Sequence, residues 1–264
     1  MRNDKGYGMY GMGRILNGLK RRLRDVSKLK GAWRPGFLWL YRNRYLRMDA
    51  NVDINDKRRR LFHLDRYEFA TGYLKNMHLK NPVILDAACG TGYGSDVLKK
   101  VNPKQIVGLD ISSDAISYAS KKYGNERCTF KVCDILKMSD INDCLFDAAV
   151  SFETIEHIDN PIGFLTNLSR VLKKDGVLVI STPNRWGLTK DHKFDYNYEL
   201  LKEHLERFFK IESIYIQNSG CMELWTNRGS PRRLVKAEPE NIEQAECFIA
   251  IAKNTNCYRN GKKC

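Results

Sequence analysis

The sequence lacks the closely spaced cysteines on which small metal-binding modules and disulfide frameworks depend. Its eight cysteines are scattered over 264 residues, and no two of them stand in a C-x-x-C arrangement. This pattern argues against a zinc ribbon and against a disulfide-stapled fold, and it suits a reducing compartment. We therefore expect a cytoplasmic protein that is held together by a hydrophobic core alone.

Long apolar runs are missing as well. No stretch approaches the roughly 20 apolar residues that a membrane-spanning helix needs. The first residues, Met1–Gly13, lack the hydrophobic centre of a secretion signal. No internal repeat is visible. We therefore expect neither a membrane-spanning nor a secreted protein.

Acidic residues are scarce in the first part of the chain. Residues 1–60 hold 17 Lys and Arg against five Asp and Glu, a net charge of +12 out of +14 for the whole chain. Within this segment an apolar stripe recurs at helical spacing among cations, which predicts a basic amphipathic helix. Three interpretations remain open: packing on the rest of the chain, peripheral contact with an anionic membrane, or binding of nucleic acid. The stripe consists of Ile15, Leu19, Leu23 and Val26, and the cations are Lys20, Arg21, Arg22, Arg24 and Lys28.

The chain is organised around the stretch V-I-L-D-A-A-C-G-T-G-Y-G at residues 83–94. A short apolar run ends in Asp86, a glycine-rich turn follows, and apolar residues then recur at helical spacing. This order predicts a buried strand, a tight loop and the start of a helix. Gly90 and Gly92 let the backbone approach a ligand that a Cβ atom would push away.

Strand and helix patterns alternate through the rest of residues 61–264, which we treat as one α/β domain behind the basic extension. Such alternation predicts a doubly wound, mostly parallel sheet with helices on both faces. A helix is expected at residues 63–79, before the first strand. Six later strands are predicted at residues 105–110, 129–135, 146–152, 177–181, 208–216 and 247–252, with an inserted loop at about 218–246.

Two classes of cofactor site use a loop of this kind. A dinucleotide site requires G-x-G-x-x-G, whereas here the spacing is G-x-G-x-G and Asp86 precedes the glycines. A carboxylate there would repel a pyrophosphate and attract an ammonium group. The stretch resembles motif I of the class I S-adenosylmethionine (SAM)-dependent methyltransferases, and the chain is similar to type 11/12 enzymes of bacterial surface-glycan clusters and ubiquinone biosynthesis. The resemblance implies SAM as the cofactor and a Rossmann-like sheet of seven strands, the last inserted antiparallel.

The resemblance also assigns roles at the carboxyl ends of the strands, where ligands bind in open α/β sheets. Asp110 ends the second strand, where its carboxylate would accept both ribose hydroxyls. Asp134 would accept the adenine amino group, and Arg66 would pair with the SAM carboxylate. The implied cofactor-binding residues are Arg66, Asp86, Ala88, Gly90, Gly92, Asp110, Ile111, Asp134, Ile135 and Phe152.

An E-x-x-E-H motif, residues 153–157, follows the fourth predicted strand. His157 is the candidate general base, because a neutral imidazole can take the proton of an attacking hydroxyl near neutral pH. Glu153 is the second candidate catalytic residue. Two alternatives remain: His157 only shapes the loop, or Glu153, Glu156 and His157 hold Mg²⁺, with His192 as a further ligand.

We expect from these features a SAM-dependent methyltransferase that methylates a hydroxyl of a small molecule or a glycan. Its basic helix would allow peripheral contact with an anionic membrane surface. Two other functions stay open: an RNA-modifying methyltransferase that uses the basic arm, and a non-catalytic partner subunit with a SAM-binding fold. The oligomeric state is open.

Overall fold

The computed structural model of the chain describes residues 57–217, 234–259 and 262–263. Helices and strands alternate along them, as the sequence pattern predicts. Short 3₁₀ turns cover Lys99–Val101, Ile155–His157 and Ile242–Gln244. The elements are α1 (Lys57–Asn76), β1 (Val83–Ala87), α2 (Tyr93–Leu98), β2 (Gln105–Asp110), α3 (Ser113–Tyr123), β3 (Cys128–Val132), β4 (Phe146–Phe152), α4 (Pro161–Val171), β5 (Leu172–Pro183), α5 (Tyr198–Glu206), β6 (Phe209–Gln217), β7 (Leu234–Lys236), β8 (Cys247–Asn254), β9 (Tyr258–Arg259) and β10 (Lys262–Lys263).

Eight of these strands form one sheet in the order β3-β2-β1-β4-β5-β8-β6-β7, and β9 pairs with β10. The strands from β3 to β5 are parallel, and β8 is inserted antiparallel between β5 and β6, as expected. The predicted number of seven strands is one short, because β7 pairs with β6 at the edge of the sheet. A strand of three residues, Leu-Val-Lys, is too short to produce a periodic pattern and lies inside the stretch predicted as a loop.

Apolar side chains fill both faces of the sheet. Successive residues of a strand point to opposite faces, so Ala149 of β4 lies in one core cluster with Phe164 of α4, while Val150 lies in the other with Leu74 of α1. Because both faces are buried, the central strands are nearly continuous apolar runs. This burial leaves the strand ends as the places where polar side chains collect.

Capping residues start the helices close to the carboxyl ends of the strands. Ser112 Oγ accepts a hydrogen bond from the backbone N–H of Ala115 at 3.3 Å and so caps α3. Asn160 caps α4 in the same way, and Pro161 occupies its first position. The turn between β2 and α3 is therefore short, and a cap fixes the start of each of the two helices.

Three predicted segments differ from the observed ones by more than two residues. β5 runs from Leu172 to Pro183 instead of 177–181, because Leu172 already pairs with Phe146 of β4. α1 runs from Lys57 to Asn76 instead of 63–79, because the chain turns at His78, which has a φ of 51°. β3 ends at Val132 instead of residue 135, because Asp134 opens a turn by accepting the backbone N–H of Leu136 at 3.0 Å.

Several expectations fall outside the described part of the chain. The predicted basic helix with the stripe from Ile15 to Val26 and positions 218–233 of the inserted loop lie there, and the division at residue 60 stays a prediction. Among the helices that are described, none combines the length and the apolar character that crossing a bilayer requires.

Candidate functional site

The loop between β1 and α2 depends on left-handed backbone conformations. Ala88, Gly90 and Gly92 have φ angles of 63°, 55° and 80°. A Cβ atom on Gly92 would come within 2.7 Å of a neighbouring side chain, and one on Gly94 within 1.9 Å of the ring of Tyr67. A Cβ atom on Gly90 would meet nothing within 4 Å. Gly90 therefore borders open space, where a ligand can approach the backbone.

Asp86 lies fully buried beneath this loop. Tyr67 donates its hydroxyl to Oδ1 at 3.1 Å, and Ser95 donates its hydroxyl to Oδ2 at 2.6 Å. Burial raises the pKa of Asp86 to about 7, although both hydrogen bonds act in the opposite direction. The carboxyl group is thus poised between its two protonation states near neutral pH, and a nearby cation would favour the ionised form.

Asp110 ties the loop to the end of β2. Its Oδ2 accepts the backbone N–H of Gly90 at 2.9 Å, and its Oδ1 accepts that of Ser112 at 2.9 Å. A carboxylate offers about four acceptor positions, so these bonds are compatible with a role toward ribose hydroxyls. Ile111 follows, with 66% of its surface exposed. The open space at Gly90, the carboxylate and the exposed apolar side chain together fit SAM.

The turn after β3 carries Asp134 and Ile135, two of the predicted cofactor-binding residues, and it exposes only the first of them. Asp134 is partly exposed and lies beside β2, since the backbone N–H of Cys133 bonds to the carbonyl of Asp110 at 2.9 Å. The side chain of Ile135 is buried in the apolar core. Ile111, rather than Ile135, therefore presents an exposed apolar side chain at this edge of the sheet.

Arg66 of α1 is fully buried and contacts the ends of two strands. Its Nε donates to Oε1 of Gln217 at 2.8 Å, and its Nη1 lies 3.3 Å from Oε1 of Glu153. Burial acts to lower the pKa of Arg66, but Cys247 and Glu153 beside it raise that pKa overall. The guanidinium is therefore charged and engaged inside the protein, and its contact with the SAM carboxylate stays a prediction.

Glu153 occupies a strained position directly after β4. Its φ is 51°, a left-handed conformation that costs a non-glycine residue about 1 kcal/mol or more. Its Oε1 also accepts the hydroxyl of Ser181 at 3.0 Å and the thiol of Cys247 at 3.5 Å. The preceding Phe152 packs edge-on against the ring of Tyr67. The carboxylate of Glu153 is thus held by its neighbours.

His157 is oriented by its backbone contact. Its Nδ1 lies 2.7 Å from the carbonyl oxygen of Asp191, which can only accept, so Nδ1 carries the proton and Nε2 of the neutral ring does not. Nε2 lies 3.7 Å from Oε1 of the buried Glu156. Thr182 donates to the other carboxylate oxygen at 3.1 Å, whereas Oε1 has no hydrogen-bond partner among the described residues. Burial and the neighbouring Glu153 raise the pKa of Glu156.

His192 forms a cluster with Glu156 and His157. Its ring centroid lies 4.8 Å from that of His157, and one donor atom from each of Glu156, His157 and His192 lies within 4.8 Å of the others. Burial and the neighbouring His157 lower the pKa of His192, which favours the neutral ring. The Mg²⁺ hypothesis included Glu153, but that carboxylate is engaged elsewhere. His192, which the hypothesis named as a further ligand, lies within reach of Glu156 and His157.

The groups that hold these side chains in position leave little signal in the sequence. Gln217 gives no signal, because it bonds to a side chain 151 residues away. Ser181 and Thr182 stand at the end of a predicted strand, and that location was the signal by which they could have been found. Tyr67 fits the apolar pattern of a helix, and that pattern gives no indication that its hydroxyl bonds to Asp86.

Residues 78–246 match the family described as a methyltransferase domain. The mitochondrial ubiquinone biosynthesis O-methyltransferase of Dictyostelium discoideum is 29% identical over 169 residues, which are 54% of this chain and 53% of that protein. A probable S-adenosylmethionine-dependent methyltransferase of Mycobacterium tuberculosis is 31% identical over 102 residues, 39% of this chain and 36% of that protein. The chain thus spans about half or less of the length of these curated relatives.

A solved structure shares the same architecture. The crystal structure of a SAM-dependent methyltransferase from Archaeoglobus fulgidus superposes with a TM-score of 0.55 and 22% identity, covering 78% of this chain and 100% of that chain. At this level of identity the likeness establishes a common fold.

Proposed function

The chain belongs to the methyltransferase domain family, and we propose that it transfers the methyl group of SAM to a hydroxyl oxygen of a small-molecule or glycan acceptor. The observation that carries this proposal is the imidazole of His157 just after β4, whose Nδ1 lies 2.7 Å from the carbonyl oxygen of Asp191 and whose Nε2 lies 3.7 Å from Glu156. The carboxyl ends of β1, β2 and β4 meet at one edge of the parallel sheet. The candidate base therefore lies at the same edge as Gly90 and Asp110.

The cofactor side of this edge would hold SAM, which supplies an electrophilic methyl group when bound. Gly90 leaves room for the cofactor beside the backbone, and the carboxylate of Asp110 accepts its ribose hydroxyls. Asp86 supplies negative charge beneath the loop, where it favours the ammonium group. Ile111 offers the adenine ring an apolar surface.

On the acceptor side, His157 takes the proton of the hydroxyl as the oxygen attacks. The carbonyl of Asp191 keeps the proton on Nδ1, so Nε2 is the basic atom. The imidazolium that forms lies 3.7 Å from the carboxyl group of Glu156, and its charge favours ionisation of that group. The remaining contribution of the protein is alignment of the two substrates and exclusion of water.

A second mechanism for the same reaction uses a divalent cation. Glu156, His157 and His192 offer one carboxylate and two imidazoles within mutual reach, a donor set that suits Zn²⁺, Mn²⁺ or Fe²⁺ better than Mg²⁺. Oε1 of Glu156 is buried and has no hydrogen-bond partner in the described part of the chain. This observation favours the alternative, because a cation could occupy the position beside that oxygen. A bound cation would lower the pKa of an acceptor hydroxyl.

The test combines cofactor binding with methyl transfer to a panel of phenols, sugars and RNA, followed through S-adenosylhomocysteine and product mass. Asp110→Ala should weaken SAM binding by about 1.5–3 kcal/mol, the range for hydrogen bonds to a charged group. His157→Ala should keep SAM affinity and lower turnover about 10²–10⁴-fold. As a control, Ser112→Ala should lower stability by about 1 kcal/mol and spare SAM affinity. Full turnover in His157→Ala contradicts the proposed base.

A further inference from the structure

Two large apolar side chains are exposed on the loop between β5 and α5. Trp186 has 59% and Leu188 has 70% of its surface exposed. The same loop carries His192 of the candidate site. Exposure of a large apolar side chain costs hydration free energy, so two such residues on one loop beside reactive groups indicate a surface that binds a ligand.

The backbone on both sides of Trp186 is anchored. The N–H of Arg185 bonds to the carbonyl of Tyr196 at 2.7 Å, and the N–H of Gly187 bonds to Oδ1 of Asp195 at 2.8 Å. Arg185 and Gly187 both adopt left-handed conformations, with φ angles of 51° and 80°. The indole is therefore presented outward by a defined backbone path.

The exposed indole borders the candidate reactive groups. Its ring centroid lies 6.3 Å from that of His192, which in turn lies 4.8 Å from the ring of His157. The carbonyl of Glu156 accepts the backbone N–H groups of both Lys193 and Phe194, at 2.7 and 3.1 Å. The loop and the turn that carries His157 are thus bonded to each other through their backbones, which keeps Trp186 on the same side of the site as the base.

We propose that Trp186 is a specificity-determining residue that packs against the methyl acceptor, and that this acceptor is a ring with an apolar face and its reacting hydroxyl on the rim. The inference rests on the proposed function. An aromatic side chain of this size buries a large apolar area against a ring face, and Leu188 extends that surface. A ring held by the indole directs its rim toward His157. An open-chain polyol would leave the indole in water.

The experiment measures binding of two ring probes to the full chain in the presence of S-adenosylhomocysteine, by titration calorimetry and ligand-observed NMR. Catechol represents a phenol and methyl β-glucopyranoside represents a sugar. The wild type should bind one of the two, and the responding probe identifies the ring. Trp186→Ala should weaken that binding at least about tenfold, and Trp186→Phe should restore most of it. Lys190→Ala, an exposed change on the same loop, should bind the probe as the wild type does.

Binding of neither probe by the wild type overturns the inference, as does equal affinity in Trp186→Ala. S-adenosylhomocysteine affinity should be the same in all variants, which separates loss of the acceptor surface from loss of the cofactor site. Addition of SAM tests the proposed function separately. A probe that binds through Trp186 but receives no methyl group leaves the ring-binding surface standing and contradicts methyl transfer at this site.

Discussion

The fully buried Arg66 and the partly buried Glu153 form an ion pair that joins α1 to the turn carrying the candidate base. Nη1 of Arg66 lies 3.3 Å from Oε1 of Glu153, and Nε of Arg66 donates to Oε1 of Gln217 at the end of β6. Glu153 is four residues before His157 and holds a left-handed backbone conformation. We interpret the pair as the contact that maintains this conformation, and so the position of the imidazole.

Neutralising one partner of this pair should be costly. Removal of one member of a buried ion pair leaves a charge without compensation, so Glu153→Gln should lower the free energy of unfolding by about 3–5 kcal/mol in urea denaturation. The matched control is Lys100→Ala, which breaks the pair of Lys100 with Glu68, where both side chains are about half exposed. That change should cost less than about 1 kcal/mol. Equal losses in the two variants contradict our interpretation.

Alanine substitutions of Gly94 and Gly90 should have different main effects, the first on protein stability and the second on SAM affinity. A Cβ atom on Gly94 would overlap the ring of Tyr67, so Gly94→Ala should lower the free energy of unfolding by about 1–3 kcal/mol or more. A Cβ atom on Gly90 meets no protein atom within 4 Å. Gly90→Ala should therefore cost only the left-handed backbone strain, about 1–2 kcal/mol, and its larger effect should be weaker SAM binding in calorimetry. Unchanged SAM affinity in Gly90→Ala places the cofactor elsewhere.

The raised pKa of Asp86 predicts a pH-dependent stability. Its ordinary value is 3.8, and burial raises the pKa to about 7 in the folded protein. The folded state therefore binds the proton more tightly than the unfolded state, so this stabilisation is complete below about pH 4 and is lost as the pH rises to about 7. The total is on the order of 4 kcal/mol.

Urea denaturation of the SAM-free protein between pH 5 and 8 measures this slope. Asp86→Asn should flatten it, because an amide does not titrate. If the pH dependence persists in Asp86→Asn, it arises from another group, such as Glu156.

Chelation distinguishes the two mechanisms of the histidine cluster. With His157 as a metal-free base, we expect EDTA to leave methyl transfer unchanged and His192→Ala to lower turnover less than His157→Ala, because His192 contacts the base without taking the proton. If EDTA abolishes activity and Zn²⁺ or Mn²⁺ restores it, the result supports the cation mechanism and contradicts the metal-free base. In that case Glu156→Gln, which removes a ligand charge, should weaken the recovery.

The basic N-terminal segment should bring the full chain to anionic vesicles. We expect co-sedimentation with phosphatidylserine vesicles, none with neutral phosphatidylcholine vesicles, and release at high salt, because each cation contributes about 1 kcal/mol at an anionic surface. Changing the five cations between Lys20 and Lys28 to Gln should abolish retention. Changing Lys121 and Lys122, two exposed cations of α3, should not. Retention by neutral vesicles contradicts the electrostatic interpretation.

The sequence by itself determined the sheet architecture and the cofactor loop. Short-range features carry both: the apolar strand before Asp86, the glycine spacing and the cap at Ser112 each depend on residues within a few positions. Local backbone sterics and hydrophobic periodicity act over the same short range, so strands such as Phe146–Phe152 could be predicted to the residue. The three-residue strand β7 was missed because it is too short to have a period.

Only the tertiary structure decided which side chains meet at the site. Arg66 can pair with Glu153 only because α1 crosses the ends of β4 and β6. His157 meets His192 only because the loop after β5 folds back over the turn after β4. Strand order and loop path bring these residues together, and both result from the packing of the whole core. No local pattern encodes such a meeting, because the free energy that fixes it is gained by burial elsewhere in the domain.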